Sequence, residues 1–336
     1  MPKGGKKMKR ILAAFSVPLL LAAFSAIGSG AQAAENYPQK PITCIIPQEA
    51  GSDGDINNRK LMEKASAILG KPIVLVNKPG AGQIIGNREL YRAKPDGYTI
   101  GTGSAAIIVA KLQGLFPYNY RDFTLISFTY HALPIVLAST KSKHPFKSLE
   151  EVVSFAKANP GEVSVATTAV GGPYWLAALI VQEGLKVKFN IIPQEGSGGM
   201  VISQVAGGHT DLGISSFAAA KSQIEAGNIR FLAVAGPQRY PGKYNQVKTL
   251  KEMGYEDASM SSFVSVMGPP KMPKDIVDKL VKTFEQANAD PGVKNFILAR
   301  NMIPDFMPPD KFFQFCEQQE KVYRAVLQKV GKLKEK

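Results

Sequence analysis

The chain has 336 residues, of which 45% are hydrophobic, 20% charged and 9% aromatic. At roughly 150 residues per domain this length holds about two domains, and the apolar share excludes an intrinsically disordered chain. Lysine and arginine number 41 against 27 acids, a formal charge of +14. These basic residues are scattered rather than gathered with aromatics on one face, which excludes a nucleic-acid binder.

The chain opens on a leader. Lys3, Lys6, Lys7, Lys9 and Arg10 precede an apolar run from Ile11 to Ile27, and small residues lead on to Ala31-Gln32-Ala33. A basic start, an apolar segment and an A-x-A end predict a secretory signal peptide over 1–33, cleaved near Ala33. The alternative, a membrane anchor, fits less well. The run is only about 17 residues, short for a span, and Ser16, Pro18 and Ser25 interrupt it. The mature chain is therefore expected to be exported and soluble. Setting the five leader cations aside lowers the charge from +14 to +9.

Beyond the leader, short apolar runs alternate with longer segments of helical period, the pattern of an α/β fold. Strands are expected at Ile42–Ile46, Ile73–Val76, Tyr98–Thr102, Ile135–Ala138, Val163–Ala166, Phe189–Ile192, Leu212–Ile214, Ile229–Ala235 and Phe263–Met267. Helices are expected at Ile56–Leu69, Ile84–Ala93, Leu149–Ala158, Tyr174–Glu183, Val201–Ala206, Ala218–Ala226, Pro273–Ala289, Pro291–Arg300 and Pro309–Val330. Leu69-Gly70-Lys71-Pro72 and Asn159-Pro160-Gly161 supply helix stops, and Ser148 with Glu151 forms a capping box. The two cysteines, Cys44 and Cys316, lie far apart in apolar surroundings, which predicts buried thiols rather than a disulfide or a metal site.

No domain-sized linker is visible. One lobe instead enters the other and returns, with crossovers near Pro134–Ala138 and Phe263–Met267. The expected division is 34–135 with 262–336 for the first lobe and 136–261 for the second. A ligand would sit between them, where strand C-termini meet helix N-termini.

Three strand-to-helix turns are polar and glycine-rich: Pro47 to Asp55, Thr167 to Gly172 and Gln194 to Gly199. Glycine lets backbone approach a ligand, and free N–H groups at a helix start attract anions. Trp175 opens a helix beside the second turn and suits either the cleft or the core. Enzymatic readings fare worse. Gly213-Ile214-Ser215-Ser216-Phe217 lacks the last glycine of a nucleophile elbow, and His131, His144 and His209 all precede Ser215, against the order a hydrolase of that type needs. In Gly80-Ala81-Gly82-Gln83-Ile84-Ile85-Gly86 the third glycine comes one position late for a dinucleotide fingerprint, so the segment reads as a turn that lets a helix pack closely. No phosphate-binding loop and no zinc-spaced His/Cys cluster is present, and His209 reads as a surface-turn residue. Neither a cofactor, a metal nor catalysis is expected.

From Tyr37 onward the chain resembles the extracytoplasmic solute receptors of tripartite tricarboxylate transporters, the Bug-type receptors. The matching stretches are Tyr37-Pro38-Gln39-Lys40-Pro41-Ile42, Asn77-Lys78-Pro79-Gly80-Ala81-Gly82, Lys94-Pro95-Asp96-Gly97-Tyr98-Thr99, Gly196-Ser197-Gly198, Gly207-Gly208-His209-Thr210-Asp211-Leu212 and Ala289-Asp290-Pro291. Each is weak alone; their order through the mature chain is specific. The resemblance implies a two-lobed periplasmic binding protein of type II-like architecture that captures a small organic carboxylate and hands it to transporter membrane subunits. A ligand-sensing adaptor of the same fold is the other reading, and a monomer is expected.

The resemblance also implies that the first two polar loops hold a carboxylate through backbone N–H groups and bridging waters. Candidate ligand contacts are Gln48, Glu49, Ala50, Gly51, Ser52 and Asp53 in the first loop, and Thr167, Thr168, Ala169, Val170 and Gly171 in the second. Gln194 in the third loop, Gly103 and Ser104 after one strand and Ser215 and Ser216 after another complete the set. Gly51 and Asp55 match the family's glycine run ending in aspartate, while Gln48, Glu49, Ser52 and Asp53 depart from it. Thr167-Thr168-Ala169 stands in place of a serine-glycine pattern, and Gln194-Glu195 in place of Tyr-Lys. Glu49, Asp53 and Glu195 would place like charges near a bound carboxylate. Either water, a cation or a ligand amine compensates them, which favours a nitrogen-bearing or aromatic monocarboxylate, or these side chains face solvent.

Overall fold

Residues 37–195, 198–300 and 302–334 are described by the computed structural model. The expected leader and the Gly196-Ser197 pair of the third polar loop lie outside the described residues. In chain order the elements are β1 (Ile42–Ile46), α1 (Asp53–Leu69), β2 (Ile73–Asn77), α2 (Ile84–Arg92), β3 (Thr99–Ser104), α3 (Ala106–Leu112), β4 (Thr124–Ala132) and β5 (Pro134–Ser139). There follow α4 (Leu149–Ala158), β6 (Ser164–Thr168), α5 (Pro173–Leu185), β7 (Asn190–Gln194), α6 (Gly198–Ala206), β8 (Leu212–Ser216), α7 (Phe217–Glu225) and β9 (Ile229–Val234). The last five are β10 (Ser262–Gly268), α8 (Lys274–Ala289), α9 (Pro291–Ala299), β11 (Ile303–Met307) and α10 (Pro309–Lys329).

Two mixed sheets result. The first has the order β11-β4-β10-β3-β1-β2 and the second β7-β6-β8-β5-β9; each sheet with its helices is called a lobe below. β1 runs parallel to β2 and β3, while β10 is antiparallel to β3 and β4. In the second lobe β6 is parallel to β7 and β8, and β5 is antiparallel to β8 and β9. The chain passes from the first sheet to the second at Leu133, between β4 and β5, and returns after Val234 to begin β10 at Ser262.

Local signals build several of these elements directly. Ser148 caps α4 by accepting from the Glu151 amide at 3.3 Å, and Gly70 ends α1 in the left-handed conformation at φ +67°. Three elements escaped the sequence pattern. β4 carries Ser127 and Thr129 among its apolar residues, yet both are fully buried because α8 and α10 cover the strand. β11 contains Pro304, which cannot donate to a ladder and is tolerated at this edge position. α3 is apolar on nearly all sides and so shows no helical period, as befits a helix buried all round.

That buried helix lies at the heart of the largest apolar cluster, which spans both lobes. It joins Ile107 and Leu112 of α3 to Phe128 of β4, Val136 of β5, Trp175 and Leu176 of α5 and Phe312 of α10. Cys44 and Cys316 are buried free thiols, and burial pushes the Cys44 thiol up to about 12.

Candidate functional site

Between the lobes lies a cavity of about 240 Å³. Five helices begin at its wall: α1 with its cap Ser52, α2 with Gln83, α5 with Gly172 and Pro173, α6 with Gly198, and α7 with its cap Ser216. Each start has amides without an intrahelical acceptor and carries a partial positive charge, worth about 0.3–1 kcal/mol to an anion when exposed. An anionic end of a ligand therefore finds donors on both walls without needing a cationic side chain.

The first loop is organised from behind by Asp55. This buried carboxylate accepts from the Gly51 amide at 2.9 Å, from Asn77 Nδ2 at 2.9 Å and from Arg59 Nε at 3.0 Å, while Asn77 also donates to the Gln48 carbonyl at 3.0 Å. Burial alone raises the carboxyl's pKa, but hydrogen bonds from Arg59, Asn77 and the Gly51 amide outweigh it and hold the group below the usual range. Gln48, Glu49, Ser52 and Asp53 line the cavity; Ala50 and Gly51 do not. Gly51 has given its N–H to Asp55 and sits at φ +79° with open space beside it. Its glycine serves the turn, not the close ligand approach expected of it.

The neighbouring segment departs further from expectation. Gly80, Ala81, Gly82 and Gln83 have φ of +117°, +48°, +61° and +76°, and all four line the cavity. Ala81 and Gln83 carry side chains in the left-handed region, at about 1–2 kcal/mol each. Gln83 Oε1 accepts from Ser104 Oγ at 2.8 Å, which anchors the amide side chain and leaves its NH2 group to donate. Close packing, as read from the sequence, is seen at Gly86, where a Cβ would lie 2.8 Å from the Pro47 side chain, and at Gly80, where one would lie 2.6 Å from Ile85 of α2.

In the second lobe Thr168, Ala169, Glu195 and Ser216 line the cavity. Thr167 does not: fully buried, it donates to the Thr168 carbonyl at 3.0 Å. Val170, Gly171 and Gln194 also stand outside the lining, with Val170 half exposed. On the strands, Ser104 reaches the cavity while Gly103 is packed against Met267, and Ser215 is buried under the start of α6. Glu49 and Glu195 are exposed at the cavity's rim.

Asp53 contributes no free charge. Arg300 Nη2 donates to its Oδ1 at 2.8 Å, and Ser216 Oγ, from the opposite lobe, donates to Oδ2. The compensation sought for this acid in a water or a ligand amine is supplied by the chain itself. Arg300 was not read from the sequence as a site residue, nor were Tyr130 and Tyr174, which line the cavity. Trp175 lies in the apolar core instead of the cleft, and its neighbour Tyr174 takes the cavity position. Burial and then the nearby Asp53 charge push both tyrosines well above the ordinary range, so each stays a neutral hydroxyl.

Residues 58–332 match the family model described as the tripartite tricarboxylate transporter family receptor. The chain belongs to that family. Its members are periplasmic solute-binding receptors rather than enzymes. Among curated relatives, BugT of Bordetella pertussis is 29% identical over 327 residues, covering 96% of this chain and 98% of BugT. The solved periplasmic binding protein BugD is 25% identical with a TM-score of 0.75, over 88% of this chain and 99% of that one. A Rhodopseudomonas palustris protein solved with adipate has the same fold at 22% identity and a TM-score of 0.79, over 88% and 98% of the two chains. In this receptor no described helix is long and apolar enough to cross a membrane.

Proposed function

We propose that this chain is an exported receptor that captures a small organic carboxylate between its lobes and delivers it to the membrane subunits of a tripartite tricarboxylate-type transporter. The observation that carries the reading is the convergence of five helix N-termini on one interlobe cavity. Family membership supports the ligand class, as do the adipate in the R. palustris structure above and the malate in a second R. palustris protein of the same fold, 21% identical with a TM-score of 0.77. The lobes are taken as 34–135 with 262–336, and 136–261; the two sheets divide the chain two residues earlier, since Pro134 and Ile135 already belong to β5 of the second sheet. The leader expected over 1–33 and the family's periplasmic members support a periplasmic location.

A carboxylate at the starts of α1 and α5 would receive the Asp53 and Gly54 amides from one lobe and those of Tyr174 and Trp175 from the other, directly or through water. Pro173 removes one competing N–H from the second wall. A thermal-shift panel on mature, ligand-stripped protein tests the reading with mono-, di- and tricarboxylates, amino acids and neutral amides. A true ligand at 100 times its Kd adds about 2.7 kcal/mol to the folded state. Stabilisation confined to carboxylates is the expected result; a response to neutral amides alone overturns it.

A further inference from the structure

Around Asp53, which lines the cavity, lies a second set of anion-binding groups, already filled. Arg300 lies just past the C-terminus of α9, about a quarter exposed, and its Nη2 is 2.8 Å from Asp53 Oδ1. Its Nε is buried with no hydrogen-bond partner. Ser216 donates to the same carboxylate from the second lobe while accepting from the Ala219 amide at 3.2 Å. Tyr174 sits beside Ser216, and the fully buried Tyr130 lies near Asp53, Arg300 and the Asn57 side chain. One guanidinium and one hydroxyl bonded to a single carboxylate, with two tyrosines lining the same cavity, make a site of the kind that recognises a ligand carboxylate.

We propose that Asp53 is the tethered occupant of a second carboxylate subsite, and that it restricts this receptor to ligands with one anionic end. The inference rests on carboxylate capture at the helix N-termini, as proposed above. A second ligand carboxylate must either lie against Asp53, where like charge opposes it, or displace Asp53 from Arg300. Displacement is unfavourable because a tethered group competes at the high effective concentration of an intramolecular partner. Removing the Asp53 carboxylate opens Arg300 behind it to the cavity, which Ser216, Tyr130 and Tyr174 already line. The receptor then gains a place for a diacid.

The test is calorimetry on the mature receptor and on Asp53→Ala, with three pairs of acids that differ by one carboxylate: butanoate and succinate, hexanoate and adipate, benzoate and terephthalate. In the wild type the expected result is that no diacid binds more tightly than its monoacid. In Asp53→Ala at least one diacid gains about tenfold or more relative to its matching monoacid. The gain disappears in Asp53→Ala with Arg300→Met. Asp53→Asn, which keeps the side-chain volume, shows a smaller gain of the same sign and carries the contrast where the alanine variant does not fold. A monoacid that binds while every diacid is unimproved in both variants overturns the subsite and leaves the carboxylate reading standing. A wild type that already prefers a diacid by about tenfold also overturns it. If none of the six acids binds any of these proteins, the carboxylate reading falls and the subsite falls with it.

Discussion

Away from the cavity the lobes share one apolar cluster, in which Ile107 and Leu112 of α3, Leu176 and Ile180 of α5 and Phe312 and Leu327 of α10 are all buried. At the cavity they touch through oxygens, as Ser216 of one lobe donates to Asp53 of the other. The apolar contact is non-directional and is stable as long as water stays out. The polar contact depends on geometry and can be exchanged for a ligand atom at little net change. The first suits a fixed axis and the second a closing edge. Capture by closure of the two lobes, in the function proposed above, would need both properties.

The largest effect belongs to the axis. Phe312 is fully buried against Phe128 and Phe263, with ring centroids 5.8 and 5.5 Å away. Phe312→Ala should cost about 3–5 kcal/mol of stability, read as a lower urea midpoint. A loss below about 1 kcal/mol would mean that the interlobe cluster is not a core and would break the comparison.

The next effect is at the closing edge but acts from behind it. Asp55→Asn removes the charge that Arg59, Asn77 and the Gly51 amide converge on, and should cost about 2 kcal/mol. The folded pKa of Asp55 lies below its unfolded value, so its contribution is full above about pH 4 and is lost as pH falls through the folded value. Urea midpoints measured from pH 6 to pH 3 should fall more steeply for the wild type than for Asp55→Asn. Parallel curves would show that Asp55 does not hold the loop.

Two glycines at that edge separate the shape of the cavity from the strain of its turns. Gly172 caps α5 at an ordinary φ of −74°, but an added Cβ would lie 2.8 Å from Thr168 Oγ1 and 2.9 Å from the Ala169 carbonyl. Gly172→Ala should weaken the best carboxylate of the panel about tenfold, roughly 1.4 kcal/mol. Gly51→Ala meets open space at φ +79°, so it should cost about 1–2 kcal/mol of stability and leave affinity within about threefold. Equal affinity losses in both would mean that the Gly51 amide reaches the ligand.

The division between axis and edge also explains what the sequence made legible. Loops that begin a helix with Ser52, Gly172 or Ser216 announce themselves by glycine, polar caps and the helical period just beyond them, and each reached the cavity. Gly80 to Gln83 carry the same signal, but comparison with a dinucleotide fingerprint diverted it into a packing turn. Arg300 could not be read as a site residue, because its role depends on Asp53, 247 residues away. Tyr130 was lost with its strand: β4 alternates apolar and polar residues in a setting buried on both faces, where alternation says nothing about which side chain meets a ligand. Side-chain roles within a legible loop were equally hidden. Thr167 and Thr168 are identical in sequence and both lie in β6, and only the pleat buries one side chain and turns the other to the cavity.

The smallest effects sharpen the comparison most, because both concern single bonds between the lobes. Lys329 pairs with Glu183 across the interface at 3.0 Å, but the lysine side chain is 66% exposed, so its loss should change stability by less than about 1 kcal/mol. Ser216→Ala removes a partly buried donor to Asp53 together with the α7 cap, at about 1 kcal/mol. The two energies nearly coincide, so stability alone will not separate them. Solution scattering will, since Asp53 and Ser216 face the closing edge while Lys329 and Glu183 flank the axis. Without ligand, Ser216→Ala should have a larger radius of gyration than the wild type and return to the wild-type value when saturated, whereas Lys329→Ala should match the wild type in both states. An unliganded Ser216→Ala as compact as the wild type would assign closure to the apolar cluster alone.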